Sequence, residues 1–304
     1  MATRAMGPGA GWGWLKQAIN LGRHNPKAVF GAVALLALVA LIPSLLQLGL
    51  QFGAGLGPEQ VLMAVGVLTL VMIVVYPLLI GGVLRVIHAS EHGQPTHATA
   101  IFDTFRAGSG RGRLIGFGVL LAVIYIATFV IMLAAVGGDF MTWYMQAITV
   151  GMQPGAETAP ALPALPEGFG TVMALSMLAG LFFGGVYAIG FGQVALNGRG
   201  VGPALGDGVV GTLKNLLPIL ALAVIAILLM LALMLVVGLL GGLLAVIGGM
   251  VHEALAMLLL VPVYLGMLLV MYVVMFGVMY YMWRDICGDD APTADATTGN
   301  QLEL

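Results

Sequence analysis

Six stretches of this chain, Ala28–Leu50, Val61–Val83, Leu114–Val136, Phe169–Val194, Leu216–Leu240 and Ala254–Met282, carry no charged side chain. Each is long enough to cross a bilayer as a helix, because about 20 apolar residues rising about 1.5 Å each cover the hydrocarbon core. Their apolar character is continuous, which excludes barrel strands, in which lipid-facing and lumen-facing residues would alternate. Soluble domains carry about 25% charged residues; only 8% are charged here, so a soluble globular fold is excluded as well. The pattern predicts an all-α, polytopic membrane bundle of six transmembrane helices.

All eleven Lys and Arg residues lie outside these stretches and occupy only alternate gaps. Arg4, Lys16, Arg23 and Lys27 precede the first stretch; Arg85, Arg106, Arg111 and Arg113 separate the second from the third; Arg199 and Lys214 separate the fourth from the fifth; Arg284 follows the sixth. Translocated loops avoid Lys and Arg, so both termini and the two basic loops are expected in the cytoplasm. Residues 1–27 then form a cytoplasmic amphipathic lead-in, 28–287 the six-helix domain, and 288–304 a disordered acidic cytoplasmic tail. Gly138 to Met152 is apolar and aromatic but too short to cross, and reads as a short helix on the outer leaflet before a loop through Pro154, Pro160, Pro163 and Pro166. A net charge of −2 leaves no basic excess for nucleic acid, and the single cysteine, Cys287, has no internal disulfide partner.

The three basic lead-ins resemble one another. WLKQAINLGRHNPKAVF, IFDTFRAGSGRGRLIGF and ALGDGVVGTLKNLLPIL each place spaced apolar and basic residues before an outward-going span, and Leu15, Ile19 and Asn25 match the spacing of Leu205, Val209 and Asn215. Three repeats of an amphipathic helix plus a helical hairpin account for this. The apolar faces would then lie on the inner leaflet, with Lys16, Arg23, Lys27, Arg106, Arg111, Arg113 and Lys214 at the lipid phosphates. The opening GWGWLKQAINLGRHNP, the loop IFDTFR and the closing YYMWRDICG resemble an uncharacterised family of multi-pass inner-membrane proteins of proteobacteria. In pattern that family is similar to the membrane domain of some glycerophosphodiester phosphodiesterases. The resemblance implies a bacterial inner membrane and six helices, and carries over no catalytic residue.

Within the spans, Pro43, Pro77 and Pro262 each remove a backbone hydrogen bond and mark kinks, readable as hinges or as ordinary membrane-helix prolines. Ser176, Gly180, Gly184, Ala188 and Gly192 recur every four residues and suggest a close-packing face, within the monomer or across an oligomer. Met267, Met271, Met275 and Met279 repeat with the same spacing, a gap-filling stripe before it is a metal path. His88 and His92, four apart, would share one face of a continuing helix and are the metal candidates, although the following GQPTH breaks helices. His252 and Glu253 do not complete a zinc motif, because Ala256 stands where the second histidine belongs. Neither a P-loop, a dinucleotide fingerprint nor a nucleophile elbow is present, and no cofactor is expected.

The sequence thus points to a non-enzymatic inner-membrane protein, an assembly, scaffold or lipid-environment factor, whose partners are membrane lipids and a second copy or another membrane protein. A small transporter for a lipid or other apolar or amphipathic substrate stands beside it. The topology is directly testable. A cysteine introduced next to Pro163 is expected to react with a membrane-impermeant thiol reagent in intact cells and Cys287 is not; the reverse labelling would invert the orientation.

Overall fold

Pro26 opens the first long helix because its missing N–H costs nothing at a helix start, and Asn25 caps it by accepting the Ala28 N–H at 3.1 Å. The computed structural model describes residues 3–50, 58–151, 164–251 and 253–288. Pro154, Pro160, Pro163, His252 and residues 289–304, including the acidic tail, lie outside them. Among the described residues the helices are α1 Ala10–Ile19, α2 Pro26–Leu48, α3 Pro58–Glu91, a 3₁₀ helix Ala98–Phe105, α4 Arg111–Val136, α5 Phe140–Gly151, α6 Phe169–Ala195, α7 Val201–Lys214, α8 Leu216–Val251 and α9 Glu253–Cys287. α2, α3, α4, α6, α8 and α9 are long and apolar enough to span a membrane, and the chain is a multi-pass membrane protein.

Two helices overrun furthest the C-terminal boundaries read from the apolar runs, and α9 continues a shorter way past Met282 to Cys287. α3 continues past Val83 to Glu91, because Arg85 and His88 are tolerated in a helix and the first breakers are Gly93 and Pro95. α8 continues past Leu240 to Val251, since nothing between Gly241 and Gly249 is proline or charged. Pro43, Pro77 and Pro262 all lie inside helices, as read.

The lead-ins differ from one another. The first and third are α-helices, α1 and α7, but the second is the eight-residue 3₁₀ helix. Asn25 and Asn215 do share a position, each at the junction between a lead-in and its span. Leu15 and Ile19 do not behave alike, however: Leu15 is buried and Ile19 exposed, whereas Leu205 and Val209 are both half-buried.

Two compact units are present, residues Met1–Val119 with Gly185–Leu304, and Leu120–Gly184. In the smaller unit α5 follows a turn at Gly138 (φ 44°), and Phe140 and Trp143 pack on Phe169 with ring centroids 6.1 and 5.5 Å apart. Tyr125 meets Phe183 edge to face at 5.4 Å. In the larger unit burial concentrates toward the helix ends that carry the basic residues. The buried side chains include Val29, Val33 and Leu36 of α2, Leu79, Leu84 and Ile87 of α3, Leu114 and Phe117 of α4, and Phe276, Tyr280 and Ile286 of α9. Away from that end, Leu45 and Leu48 of α2, Met63 and Leu70 of α3, and Leu235 to Ile247 of α8 are largely exposed.

Glycines sit where helices cross at the basic end. A Cβ on Gly11 would strike the Pro218 carbonyl, one on Gly82 the Ile101 carbonyl, one on Gly190 the Phe117 ring and one on Gly192 the Trp283 indole. On Gly277 it would come within 2.9 Å of the Ala18 Cβ. The expected packing stripe on α6 is divided by this pattern. Ala188 is buried and Gly192 is pressed against Trp283, but a Cβ on Gly180 or Gly184 meets nothing within 4 Å among the described residues, and Ser176 bonds only weakly to the Met132 sulfur at 3.9 Å. The reason is geometric: an i+4 repeat advances by about 40° per step on a helix of 3.6 residues per turn, so the ends of a five-member stripe point in different directions. The methionine stripe splits in the same way, with Met279 buried and Met275 exposed.

Substitution at the tight crossings should therefore cost more than on the open half of the stripe. Gly192→Leu is expected to lower the detergent melting temperature by the equivalent of about 1–3 kcal/mol or more of overpacking. Gly180→Ala should be neutral or slightly stabilising, because alanine favours helix by about 1 kcal/mol over glycine. Thermal unfolding of the purified variants measures both.

Candidate functional site

The last turns of α9, Tyr280 to Asp285, bring together polar side chains from several helices of the larger unit. An α-helix turns about 100° per residue, so six consecutive residues cover its whole circumference and reach several neighbours at once. The Tyr281 hydroxyl donates to Glu91 Oε2 of α3 at 2.7 Å. Trp283 Nε1 donates to Gln193 Oε1 of α6 at 3.5 Å. Asp285 Oδ2 accepts from the indole of Trp14 on α1 at 3.0 Å, and Trp14 is fully buried. Arg284 donates to Gln17 Oε1 at 2.7 Å, pairs with Asp285 at 2.9 Å and lies 4.7 Å over the Tyr281 ring.

Gln193 is a second hub. Its side chain is fully buried, accepts from Asn197 Nδ2 at 2.7 Å, and donates from Nε2 to Asp207 of α7 at 2.7 Å. Asp207 also takes the Arg199 guanidinium at 2.9 Å. Residues 3–9 close the assembly. The Arg4 N–H and guanidinium donate to the Ile286 and Gly288 carbonyls at the end of α9, at 3.0 and 2.9 Å. Asn215, also fully buried, accepts from the Met6 N–H at 2.7 Å and donates to the Arg4 and Gly211 carbonyls.

The basic residues expected at lipid phosphates divide between two environments. Lys16, Arg23, Lys27, Arg106, Arg111 and Arg113 are exposed at the residue level, though Arg106 pairs with Asp103 at 3.2 Å and Arg113 donates to the Gly198 carbonyl. Lys214 is exposed along its chain, but its ammonium donates to the Thr3 carbonyl at 2.9 Å. Arg85, read as a topology signal alone, is half-buried and ties the end of α6 to the loop before α4 through the Ala195 and Ser109 carbonyls at 3.0 and 2.7 Å. The apolar face of α1, Gly11, Trp14, Leu15 and Ala18, is buried within the protein, where α1 packs on α8 and α9; this corrects the expectation that it lies on the leaflet. The side chains α1 leaves outside are Trp12, Lys16 and Ile19.

The continued α3 helix does bring His88 and His92 together, with ring centroids 4.1 Å apart. His92 Nδ1 donates to the His88 carbonyl at 2.8 Å, and His88 Nδ1 lies 3.4 Å from the Tyr280 hydroxyl, so both rings are engaged with protein groups. Among the described residues no three His, Cys, Asp or Glu side chains gather as a metal site. Cys287 is buried, so its failure to react with a thiol reagent would report shielding as well as side. The orientation experiment therefore rests on introduced cysteines, beside Pro163 and at an exposed basic-end position such as Ala107.

The residues missed from sequence are Trp14, Gln193, Asp207 and Asn215. Gln193 was visible as a polar side chain inside an otherwise apolar run, a placement that demands a partner. Compared with known proteins, the chain matches no protein-family model, no curated protein and no solved structure.

The Trp14–Asp285 bond is expected to hold α1 in place. Trp14→Phe removes one donor from a buried carboxylate and should cost about 1–3 kcal/mol of stability. A double-mutant cycle with Asp285→Asn should give a coupling of about 0.5–3 kcal/mol, and additive effects would show that the bond contributes nothing.

Proposed function

We propose that this chain is a non-enzymatic integral protein of a bacterial inner membrane, with both termini in the cytoplasm, acting as an assembly, scaffold or lipid-environment factor. The observation that carries the reading is how the basic end uses its side chains. The polar groups around Tyr280–Asp285 and Gln193 are answered by one another and hold helices in register. What is left facing outward is apolar side chains interspersed with cations: Trp12, Lys16 and Ile19 on α1, then Val210, Leu213 and Lys214 on α7 and Leu217 just beyond. A face of that composition suits the anionic headgroup region, where each Lys or Arg contributes about 1 kcal/mol. The family resemblance and the alternation of basic gaps support the inner membrane and the orientation, and the shared asparagine junction supports the repeat.

A second reading, a small transporter for a lipid or other amphipathic substrate, draws on Pro43 and Pro262, which interrupt helices where large apolar side chains are exposed on both sides of the proline. One reconstitution separates the two. Full-length protein in phosphatidylcholine vesicles with a minor phosphatidylglycerol fraction is expected to immobilise spin-labelled phosphatidylglycerol more than spin-labelled phosphatidylcholine, an excess that shrinks as salt rises. It should leave a fluorescent lipid of the inner leaflet protected from an external quencher. Loss of that protection would replace the scaffold reading with transport, and equal immobilisation of both lipids would remove the lipid-contact role.

A further inference from the structure

Between α1 and the ends of α3 and α9 lies a cleft of about 420 Å³, within the size range of small-ligand sites. Its lining includes Lys16, Gln17, Asn20, Arg23, His24, Glu91 and Tyr281. Two permanent positive charges face one carboxylate. That carboxylate is already engaged, since Glu91 accepts the Tyr281 hydroxyl at 2.7 Å. The carbonyl end of α1 would disfavour an anion, but three of those carbonyls are occupied: Asn20 Nδ2 donates to the Lys16 carbonyl at 2.9 Å, and the Asn20 and Leu21 N–H groups donate to the Gln17 and Ala18 carbonyls at 3.0 and 3.1 Å. The Arg23 guanidinium spends one donor on Asn20 Oδ1 at 2.6 Å, and guanidinium carries five. The Lys16 ammonium makes no hydrogen bond or ion pair among the described residues, so cationic donors remain available there beside the second amide N–H of Gln17 and Asn20.

The same turn of α1 carries apolar groups beside the charge. Trp12, Lys16 and Ile19 are spaced i, i+4 and i+7 and share one helix face, with Trp12 50% and Ile19 56% exposed. A phosphate that brings its own hydrocarbon satisfies both halves of that face; a free phosphate satisfies only the cations. We propose that this cleft is a binding site for the phosphate headgroup of an anionic phospholipid, with Lys16 and Arg23 on the phosphate and Trp12 and Ile19 against the first acyl carbons. The proposal rests on the lipid-contact reading above and gives it a defined seat.

Native mass spectrometry of the full-length protein in a neutral detergent, titrated with short-chain phosphatidylglycerol, phosphatidylcholine or inorganic phosphate, tests it. Wild type should retain phosphatidylglycerol at least about tenfold more tightly than phosphatidylcholine, and inorganic phosphate should not displace it. Lys16→Gln with Arg23→Gln should weaken phosphatidylglycerol by roughly 30-fold, from about fivefold per cation. Glu91→Gln should tighten it by about fivefold through loss of a neighbouring negative charge. Lys27→Gln with Arg106→Gln, both outside the cleft, should leave binding within about threefold. The substituted residues other than Glu91 are exposed, and an unchanged lipid-free melting temperature confirms that the fold persists. Equal losses for the cleft and outside pairs would overturn the site, as would no change in Glu91→Gln. Displacement by inorganic phosphate would make it a free-phosphate site. If the spin-label preference persists in the cleft variant, the lipid-contact reading stands and only this seat for it fails; if wild type shows no preference, that reading fails first.

Discussion

A polar side chain near the end of a membrane-crossing helix has few partners to choose from, and in this protein the end of α9 supplies partners to three of its neighbours. Trp14, Gln17, Glu91 and Gln193 come from three different helices, yet all are bonded to residues between Tyr281 and Asp285. Because those contacts radiate around one helix, the rotation of α9 fixes the placement of α1, α3 and α6 together. Half-satisfying such a network would be worse than having none, since each stranded buried group costs about 1–3 kcal/mol. The N-terminal segment completes the arrangement by covering the last carbonyls of α9, which would otherwise end without partners.

The uneven distribution of burial along the helices of the larger unit has the same origin. Apolar helices in a bilayer gain little by leaving lipid for one another, because acyl chains are as apolar as leucine. Association needs close backbone approach or hydrogen bonds. Both occur at the basic end, where Gly11, Gly82, Gly190, Gly192 and Gly277 mark the crossings and the bonded side chains cluster. The remaining lengths of α2, α3 and α8 are leucine-, valine- and methionine-rich, and their exposed side chains are of the kind that lipid solvates. Apolar content alone therefore explains why six helices enter a membrane, and the small and polar residues explain where they hold one another.

The number and approximate limits of those helices were legible because a bilayer imposes one requirement, sustained apolarity, that a linear reading measures directly. Gly192 was legible as a packing residue for the right chemical reason, its lack of a side chain. Gly180 and Gly184 carry the same signal, but a four-residue repeat winds around the helix, so they do not share the contact of Gly192 with Trp283. The second lead-in was read as an α-helix from its spaced apolar residues; Ala98–Phe105 forms a 3₁₀ helix, with the buried Thr104 hydroxyl bonded to the Leu78 carbonyl of α3. The network around Asp285 was not legible at all, since the partners Trp14 and Asp285 are separated by 271 positions and each alone reads as an interfacial residue.

That long-range bond also explains how a ten-residue helix persists at the surface. Isolated helices shorter than about 12–15 residues are marginal in water, and α1 is followed at once by Gly22 in a left-handed conformation (φ 82°) and by Pro26. Its stability must come from tertiary contacts: Gly11 against Pro218, Ala18 against Gly277 and the Trp14 indole on Asp285. The direction of dependence follows. α8 and α9 provide the apolar partner of this helix, so Trp12, Lys16 and Ile19 are held in a geometry set by the protein itself. An excised segment would lose both the template and that geometry, and whatever this face recognises is recognised by the assembled basic end rather than by a free amphipathic peptide.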